Sequence, residues 1–212
     1  MKVYLVGYGN INQLVHQKIK HSIVGIYDLN NSYLSDSPDI IVDFSNPNAL
    51  DKTIELALKY NAKVLIGTTG YTFRQNERIK ELSKQVAVLT SSNFSLGMML
   101  LNKFFKENSK YLKDYDKEII EIHHKNKVDS PSGTAKTIAK LIGCKNITSV
   151  RAKDVIGVHN ILFFGSDEVL EIKHSITSRS NFVLGVLKAI EWLNDKEVGL
   201  YGLEDVINAM WG

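Results

Sequence analysis

The sequence predicts an α/β fold, in which a Rossmann-type, doubly wound parallel sheet is joined to a smaller α+β domain with a mixed sheet. Three observations support this prediction. Short apolar strands alternate with amphipathic helices over residues 1–94, and a glycine turn, Gly7-Tyr8-Gly9, directly follows the first strand. After Asn93 the alternation stops, and a long helix is followed by strand-rich chain. The first part is therefore typical of a doubly wound sheet, and the second is a separate α+β unit.

Each element of the first part follows from its periodicity, because strands are short β-branched runs and helices repeat apolar residues every three or four positions. The predicted strands are Lys2–Val6, Ser22–Tyr27, Asp39–Phe44, Lys63–Ile66 and Val86–Thr90, and the predicted helices are Asn10–Lys20, Ala49–Tyr60 and Thr72–Lys84. Strands that alternate with helices pair in parallel, so their carboxyl ends meet at one edge of the sheet, where such folds bind ligands.

Four small, polar loops follow these strands, and we expect all of them to line one crevice: GYGN, DFSNP, GTTG and SSNFS. The first loop supplies two glycines of the dinucleotide-binding motif G-x-G-x-x-G, but Asn12 stands at the position of the third glycine. A two-glycine turn by itself is equally consistent with a tight strand-to-helix turn.

Asp28 changes that balance. It ends the second strand, about 20 residues after the glycine turn, where an acidic residue bonds the ribose hydroxyls of NAD. The alternative is a turn residue beside Asn30 and Asn31. The glycine turn and the acid together favour dinucleotide binding.

The second part mixes helices with strands that suit a mixed or antiparallel sheet. The predicted helices are Leu96–Tyr111, one beginning after Pro131, Phe182–Leu193 and Leu203–Met210, and the predicted strands are Ile119–His123, Val158–Phe164 and Val169–Ser175. An FGSDE turn joins the last two strands as a hairpin, and Val150–Ile156 is a further segment. We expect the last helix to return to the first domain, which gives domains of residues 1–94 with 180–212 and of residues 95–179.

A group of titratable side chains lies at the centre of the second part. The predicted strand ends in two adjacent histidines, His123 and His124, and Lys127 follows. Pro131 and Ser132 then open an amphipathic helix, whose free N–H groups and dipole attract anions. The pattern predicts a carboxylate or phosphate pocket that contains an acid–base group.

Composition excludes several classes of function. A net charge of +3 with scattered lysines does not indicate nucleic-acid binding. No apolar run is long enough to span a bilayer, and no signal-peptide pattern opens the chain, so we expect no membrane contact. The single cysteine, Cys144, excludes an internal disulfide and suits a reducing cytoplasm, where we expect the protein to act.

The stretch EIHHKNKVDSPSGTA resembles the signature of the dihydrodipicolinate reductase family, E-x-H-H-x-x-K-x-D-x-P-S-G-T-A. The resemblance covers nearly the whole chain in the right order. Further matches are the cofactor and hinge loops Gly67-Thr68-Thr69-Gly70 and Asn93-Phe94-Ser95-x-Gly97, and the C-terminal features Gly157-Val-His159, Glu171-Ile-Lys-His174 and Ser178-Arg179 with Phe182 and Gly185.

The resemblance implies NAD(P)H-dependent reduction of dihydrodipicolinate (4-hydroxy-tetrahydrodipicolinate) to tetrahydrodipicolinate, in diaminopimelate and lysine biosynthesis. It implies that His123 is the general acid and that Lys127 binds or polarises the substrate. The implied substrate-binding residues are His124, Ser132, Gly133 and Thr134, with His159 and Arg179 as further candidates. The implied cofactor-binding residues are Gly7, Gly9, Asn10, Ile11, Asp28, Gly67, Thr68, Thr69, Ser92, Asn93 and Phe94. Relatives are commonly tetramers built through the second domain's sheet, so a homotetramer is implied.

Two departures from the family pattern concern the cofactor. Asn10 replaces an arginine that contacts phosphate in the family, and Leu29 follows Asp28 where some members carry a second arginine. Losing both cations while keeping an acid that repels a 2′-phosphate favours NADH over NADPH. The segment Leu29–Pro38 is also shorter than in most members.

Other interpretations remain open at this point. The chain is alternatively another two-domain dehydrogenase of an amino or imino acid, or an NAD-binding regulator that has lost catalysis. Neighbouring strand residues point to opposite faces, so one of His123 and His124 is alternatively a packed core histidine. The same geometry disfavours a His-His metal site, and we expect no metal. Glu121 and Asp129 are expected to orient or cap rather than to catalyse.

Overall fold

The computed structural model of the protein describes residues 1–29 and 32–211, so Asn30 and Asn31, named above beside Asp28, lie outside the described residues. The strands are β1 Val3–Val6, β2 Ile23–Tyr27, β3 Tyr33–Leu34, β4 Ile40–Asp43, β5 Lys63–Ile66, β6 Ala87–Thr90, β7 Asp116–His123, β8 Asn146–Arg151, β9 Gly157–Phe164, β10 Val169–Ile176 and β11 Gly199–Gly202. The α-helices are α1 Asn10–Lys18, α2 Leu50–Tyr60, α3 Phe73–Leu82, α4 Leu96–Asn108, α5 Gly133–Ile142, α6 Ser180–Leu193 and α7 Leu203–Trp211.

The chain divides into two compact units, Met1–Phe94 with Phe182–Gly212, and Ser95–Asn181. In the first unit the strand order is β11-β6-β5-β4-β1-β2-β3, and every pairing is parallel except that of β2 with β3. This confirms the predicted doubly wound parallel sheet. The two edge strands β3 and β11 escaped prediction because one has two residues and the other is bounded by glycines.

The second unit contains a four-stranded sheet of order β10-β9-β7-β8. The pair β7–β8 is parallel, and the pairs β7–β9 and β9–β10 are antiparallel, so the predicted mixed sheet is confirmed. The strand β8 begins before the predicted segment Val150–Ile156. Its less exposed residues are Ile147, Ser149 and Arg151, and because two of these are polar the sequence lacks the apolar alternation of a strand. Apolar residues of α4 and α5 pack against apolar residues of β7 and β9 on one face of this sheet, and the buried cluster consists of Met98, Phe105, Ile119, Ala135, Ile138, Ala139, Ile142, Ile161 and Phe163.

Asn12 takes over the role of the missing third glycine by a different means. Its side chain is fully buried, and its Nδ2 donates to the carbonyls of Val6 at 3.0 Å and Gly7 at 2.8 Å. A glycine at this position lets helix and strand pack closely. Here an amide instead joins the start of α1 to the end of β1.

We predict that Asn12→Asp destabilises the protein by about 3 kcal/mol, because a buried carboxylate cannot donate to these carbonyls. Gln13→Glu is a matched control on the same helix, since its exposed amide donates to the carbonyl of Tyr8 at 2.9 Å. We expect the control to cost less than about 0.5 kcal/mol. Urea unfolding of both variants measures the difference, and equal losses would contradict the assigned role of Asn12.

Candidate active site

The predicted acid–base group lies where β7 ends. Glu121 and His123 occupy alternate positions of this strand, so they share the face that also carries Ile119, which is covered by α4 and α5. The register places His159 of β9 opposite Glu121 and Arg151 of β8 opposite His123. Four polar side chains therefore meet beside the buried core of the second unit.

His123 is held in one orientation by Glu121. Its side chain is nearly buried, and its Nδ1 is hydrogen-bonded to Oε2 of Glu121. The other ring nitrogen, Nε2, lies beside Gly157, where an added Cβ would stand 3.2 Å away. Burial lowers the pKa of His123, and the bond to Glu121 offsets part of that effect. Nε2 is thus the nitrogen that can pass a proton to a bound molecule.

Glu121 is the fully buried centre of this arrangement. Besides His123, it bonds Nη2 of Arg151 at 2.9 Å and the backbone N–H of Ser132 at 3.3 Å. Burial by itself would raise the pKa of Glu121, but the bonds from Arg151 and His123 outweigh it and lower the pKa. Glu121 is therefore a carboxylate that links the acid to the start of α5.

Sequence reasoning missed Arg151. Its guanidinium also donates to the carbonyl of Asp129 at 2.7 Å, so it joins the loop before α5 to the buried carboxylate. Arg151 lies outside the signature stretch, and only the register between β7 and β8 brings it to His123.

The expected anion donors at the start of α5 bond the chain's own carboxylates. Lys127 Nζ donates to Oδ1 of Asp129 at 2.6 Å, and the N–H of Gly133 donates to Oδ2 at 3.1 Å. The N–H of Ser132 points to Glu121, as described above. The N–H groups of Gly133 and Thr134 are the amides expected to be free for a ligand. The structure corrects that expectation for Gly133, whose N–H already donates to Asp129.

Ser132 caps α5 from inside the protein. Its Oγ accepts the N–H of Ala135 at 3.2 Å and lies 3.3 Å from Nε2 of His159. The side chain is 2% exposed, which leaves it little access to a ligand. Its role as a substrate contact stays a prediction, as do those of Gly133 and of the half-buried Thr134 and His124.

His159 is a neutral partner of the acid. Its ring is 3% exposed and meets the ring of His123 edge to face, with centroids 5.2 Å apart. Burial lowers the pKa of His159 to about 4. It is therefore uncharged at neutral pH, which fits packing and hydrogen bonding better than proton donation.

Glu121, His123 and His159 offer three ligand atoms within 4.8 Å of one another, a spacing that a metal ion could use. Two features disfavour a cation here. Glu121 already bonds the fixed positive charge of Arg151 at 2.9 Å, and its second oxygen bonds His123. The arrangement is better described as an oriented acid–base pair, and the expected absence of a metal stays a prediction.

The first unit gathers the predicted cofactor loops at the carboxyl edge of its sheet. Gly7 has φ +79°, and a Cβ there would approach the carbonyl oxygen of Phe44 to 2.7 Å. A Cβ on Gly67 would overlap the ring of Phe44, and that ring packs on Phe94 with centroids 5.3 Å apart. These glycines are required because the loops after β1, β4, β5 and β6 pack against one another.

Asp43, which sequence reasoning missed, joins two of these loops. It is fully buried at the end of β4 and accepts bonds from Thr68 Oγ1 at 2.8 Å and Thr53 Oγ1 at 2.7 Å. The backbone N–H of Ser45 in turn donates to Thr68 Oγ1 at 2.8 Å. The hydroxyl of Thr68 thus faces inward, and a cofactor would meet the backbone of this loop.

The remaining predicted cofactor residues lie around the same edge. Gly9 precedes α1 with open space where a Cβ would stand, and Asn10 is exposed. Asp28 follows β2, whose last carbonyl, that of Tyr27, accepts the N–H of Gly7 at 2.8 Å. Ile11, Thr69, Ser92 and Asn93 are exposed or half-buried, whereas Phe94 is buried. Their contacts with a cofactor stay predictions. Arg179 is exposed in the second unit.

We predict that His159→Gln flattens the acid side of the stability profile. Because the pKa of His159 is lowered to about 4, the unfolded chain binds a proton between about pH 6.5 and 4 that the folded chain does not. The histidine therefore costs stability as pH falls through that window, up to about 3 kcal/mol. Urea unfolding at several pH values measures this, with the exposed His21→Gln as control. Parallel profiles for the two variants would refute the prediction.

Among the described residues, no helix has both the length and the apolar character needed to cross a membrane.

Comparisons with known proteins agree with this geometry. The family model for the dihydrodipicolinate reductase N-terminus matches residues 8–94, and that for the C-terminus matches residues 97–207. A protein of Rickettsia rickettsii (strain Sheila Smith) named 4-hydroxy-tetrahydrodipicolinate reductase is 40% identical over 187 residues, covering 79% of this chain and 78% of that protein. A protein of the same name from Brachyspira hyodysenteriae is 35% identical over 230 residues, covering 98% and 100%.

Among solved structures, the dipicolinate-bound dihydrodipicolinate reductase from Paenisporosarcina sp. TG-14 matches with a TM-score of 0.80 and 25% identity, covering 97% of this chain and 98% of that one. An aspartate dehydrogenase from Thermotoga maritima shares the fold alone, with a TM-score of 0.53 and 16% identity over 92% of this chain and 97% of that one. The family consists of pyridine-nucleotide-dependent reductases with an NAD(P)-binding N-terminal domain. Both parts of the chain match the same family, and the protein therefore belongs to the dihydrodipicolinate reductases.

Proposed function

We propose that the protein reduces dihydrodipicolinate (4-hydroxy-tetrahydrodipicolinate) to tetrahydrodipicolinate, with NADH as the favoured reductant. The observation that carries this proposal is the buried Glu121–His123 pair beside Lys127 and the start of α5. An oriented imidazole, an ammonium group and a helix N-terminus together suit a dicarboxylate that must be protonated. Family membership supports the same reaction.

The reaction needs a hydride at one carbon of the cyclic imine and a proton at its neighbour. A bound nicotinamide supplies the hydride. His123 supplies the proton from Nε2, because Nδ1 is held by Glu121. The carboxylate of Glu121 stabilises the imidazolium before transfer and keeps the ring in place afterwards.

The substrate's two carboxylates need cationic or N–H partners. His124 would bind one carboxylate, and Lys127 would bind or polarise the substrate. Backbone N–H groups at Gly133 and Thr134, favoured by the dipole of α5, would bind the other. Ser132 contributes by capping this helix, as its buried Oγ bonds the N–H of Ala135.

Residues at the carboxyl edge of the parallel sheet support a preference for NADH. Asp28 follows β2, where it would bond the ribose hydroxyls, and its charge would repel a 2′-phosphate. Asn10 and Leu29 provide no cation where the family can carry arginines. Gly7 and Gly9 let the backbone approach the pyrophosphate at the start of α1.

We also propose a homotetramer formed through the sheet of the second unit. The face opposite α4 and α5 carries exposed apolar side chains, among them Val150, Phe164 and Val169. Apolar residues on an uncovered sheet face indicate an interaction surface.

A cytoplasmic location fits the single free cysteine, Cys144.

We predict that His123→Gln lowers kcat about 100-fold or more while the Kd for NADH changes little, because a general acid contributes 10²–10⁴-fold. NADH oxidation with freshly made dihydrodipicolinate, followed by absorbance, measures the rate. For the unmodified protein, kcat should fall as pH rises through a pKa below 6.5, since the protonated ring is the donor. Unaltered turnover of the variant would remove His123 as the acid.

His124→Gln is the matched control, because it is the neighbouring histidine and is assigned to binding. It should raise KM more than it lowers kcat. If the unmodified protein fails to turn over dihydrodipicolinate but oxidises NADH with another imino acid, the alternative dehydrogenase function replaces the proposed one.

We predict that NADH binds at least about tenfold more tightly than NADPH, because Asp28 repels the 2′-phosphate. Isothermal titration of each cofactor gives the two dissociation constants. Asp28→Asn should narrow the difference, whereas Asp51→Asn, an exposed change on α2, should not. Tighter binding of NADPH would overturn the assignment of Asp28.

A further inference from the structure

Asp129 bonds two of the donors that the proposed function assigns to the substrate. Its Oδ1 accepts from Lys127 Nζ at 2.6 Å, and its Oδ2 accepts from the N–H of Gly133 at 3.1 Å. Lys127 and Gly133 are two of the donors that a bound dicarboxylate needs. A single internal carboxylate therefore bridges the cation and the helix start.

The backbone of Asp129 is anchored, whereas its side chain is not. Arg151, which is held by Glu121, donates to the carbonyl of Asp129 at 2.7 Å. The carboxylate is 49% exposed, and Lys127 lowers its pKa, so it is charged at neutral pH. Water competes with an ion pair at this exposure, so the pair is weak. The side chain can therefore rotate away from Lys127 while the loop keeps its place.

We propose that Asp129 competes with the substrate, so that a substrate carboxylate binds by exchanging with that of Asp129 at Lys127 and Gly133. This inference rests on the proposed function. The exchange leaves both donors paired before and after binding, which avoids exposing an unpaired cation. The Asp129 carboxylate also excludes small anions, because it is part of the chain and a free anion with only one point of attachment competes poorly against it. A dicarboxylate with a second point of attachment overcomes this competition.

The rival role for Asp129 has the opposite consequence. If its carboxylate held Lys127 in the orientation that binds substrate, loss of the charge would weaken ligand binding. Both roles place the same side chain against Lys127, so the direction of the change in affinity distinguishes them.

The test uses Asp129→Asn, which keeps the size of the side chain and an oxygen acceptor for Gly133 but removes the charge that holds Lys127. The probe is dipicolinate, titrated calorimetrically into the NADH-loaded protein. We expect the variant to bind dipicolinate about twofold to fivefold more tightly, in line with the strength of an exposed ion pair. We also expect sulfate to inhibit the variant at lower concentration. Asp167→Asn, an exposed change in the turn between β9 and β10, is the matched control and should change neither value.

Equal or weaker binding of dipicolinate by Asp129→Asn would overturn the proposal while leaving the proposed function in place. If the unmodified protein neither binds dipicolinate nor turns over dihydrodipicolinate, the proposed function fails and this inference fails with it. A crystal structure of the unmodified protein with NADH and dipicolinate provides a test that needs no variant. In that structure the carboxylate of Asp129 should lie more than about 4 Å from Lys127 Nζ, a distance at which no hydrogen bond remains. A retained hydrogen bond between the two groups would overturn the proposal.

Discussion

The buried carboxylate of Glu121 is the constraint on which the candidate active site depends. It has no exposed surface, so its charge must be balanced by hydrogen-bond donors, and these include Arg151, His123 and the N–H of Ser132. Each donor comes from a different part of the second unit, β8, β7 and the start of α5. Burying an unpaired carboxylate is very costly, so these three parts are held together by the need to satisfy it.

The nucleotide-binding unit solves a similar problem with neutral groups. Asp43 is equally buried, but its partners are the hydroxyls of Thr53 and Thr68 with Ser45, and Asn12 joins β1 to α1 through its amide. Hydroxyl and amide partners do not titrate near neutral pH. This scaffold therefore holds the loops in position through hydrogen bonds from neutral side chains.

The sequence was sufficient for the parallel sheet, because its strands are uniformly apolar and its loops are punctuated by glycine. It was also sufficient to predict that His123, Lys127 and the start of α5 lie near one another, since they belong to one short stretch of the sequence. It was not sufficient for Arg151, which is 28 positions beyond His123 and reaches it only through the register of β7 and β8. Nor did it reveal that Asp129 bonds Lys127 and Gly133, because which carboxylate fills an anion site depends on loop geometry.

Arg151 also explains why the proton belongs to the imidazole in the Glu121–His123 pair. A carboxylate that bonds a guanidinium at 2.9 Å is a weak proton acceptor, since protonation would leave the buried cation without its partner. The positive charges of Arg151 and Lys127 disfavour a further positive charge on the ring of His123. Burial and these two cations therefore lower the pKa of His123, although Glu121 raises it. An imidazolium at His123 is stabilised by the carboxylate of Glu121 and destabilised by burial and by the two nearby cations. It is therefore a ready donor once a proton acceptor lies at Nε2, and the distribution of charge around Glu121, rather than the histidine alone, makes the site suited to proton transfer.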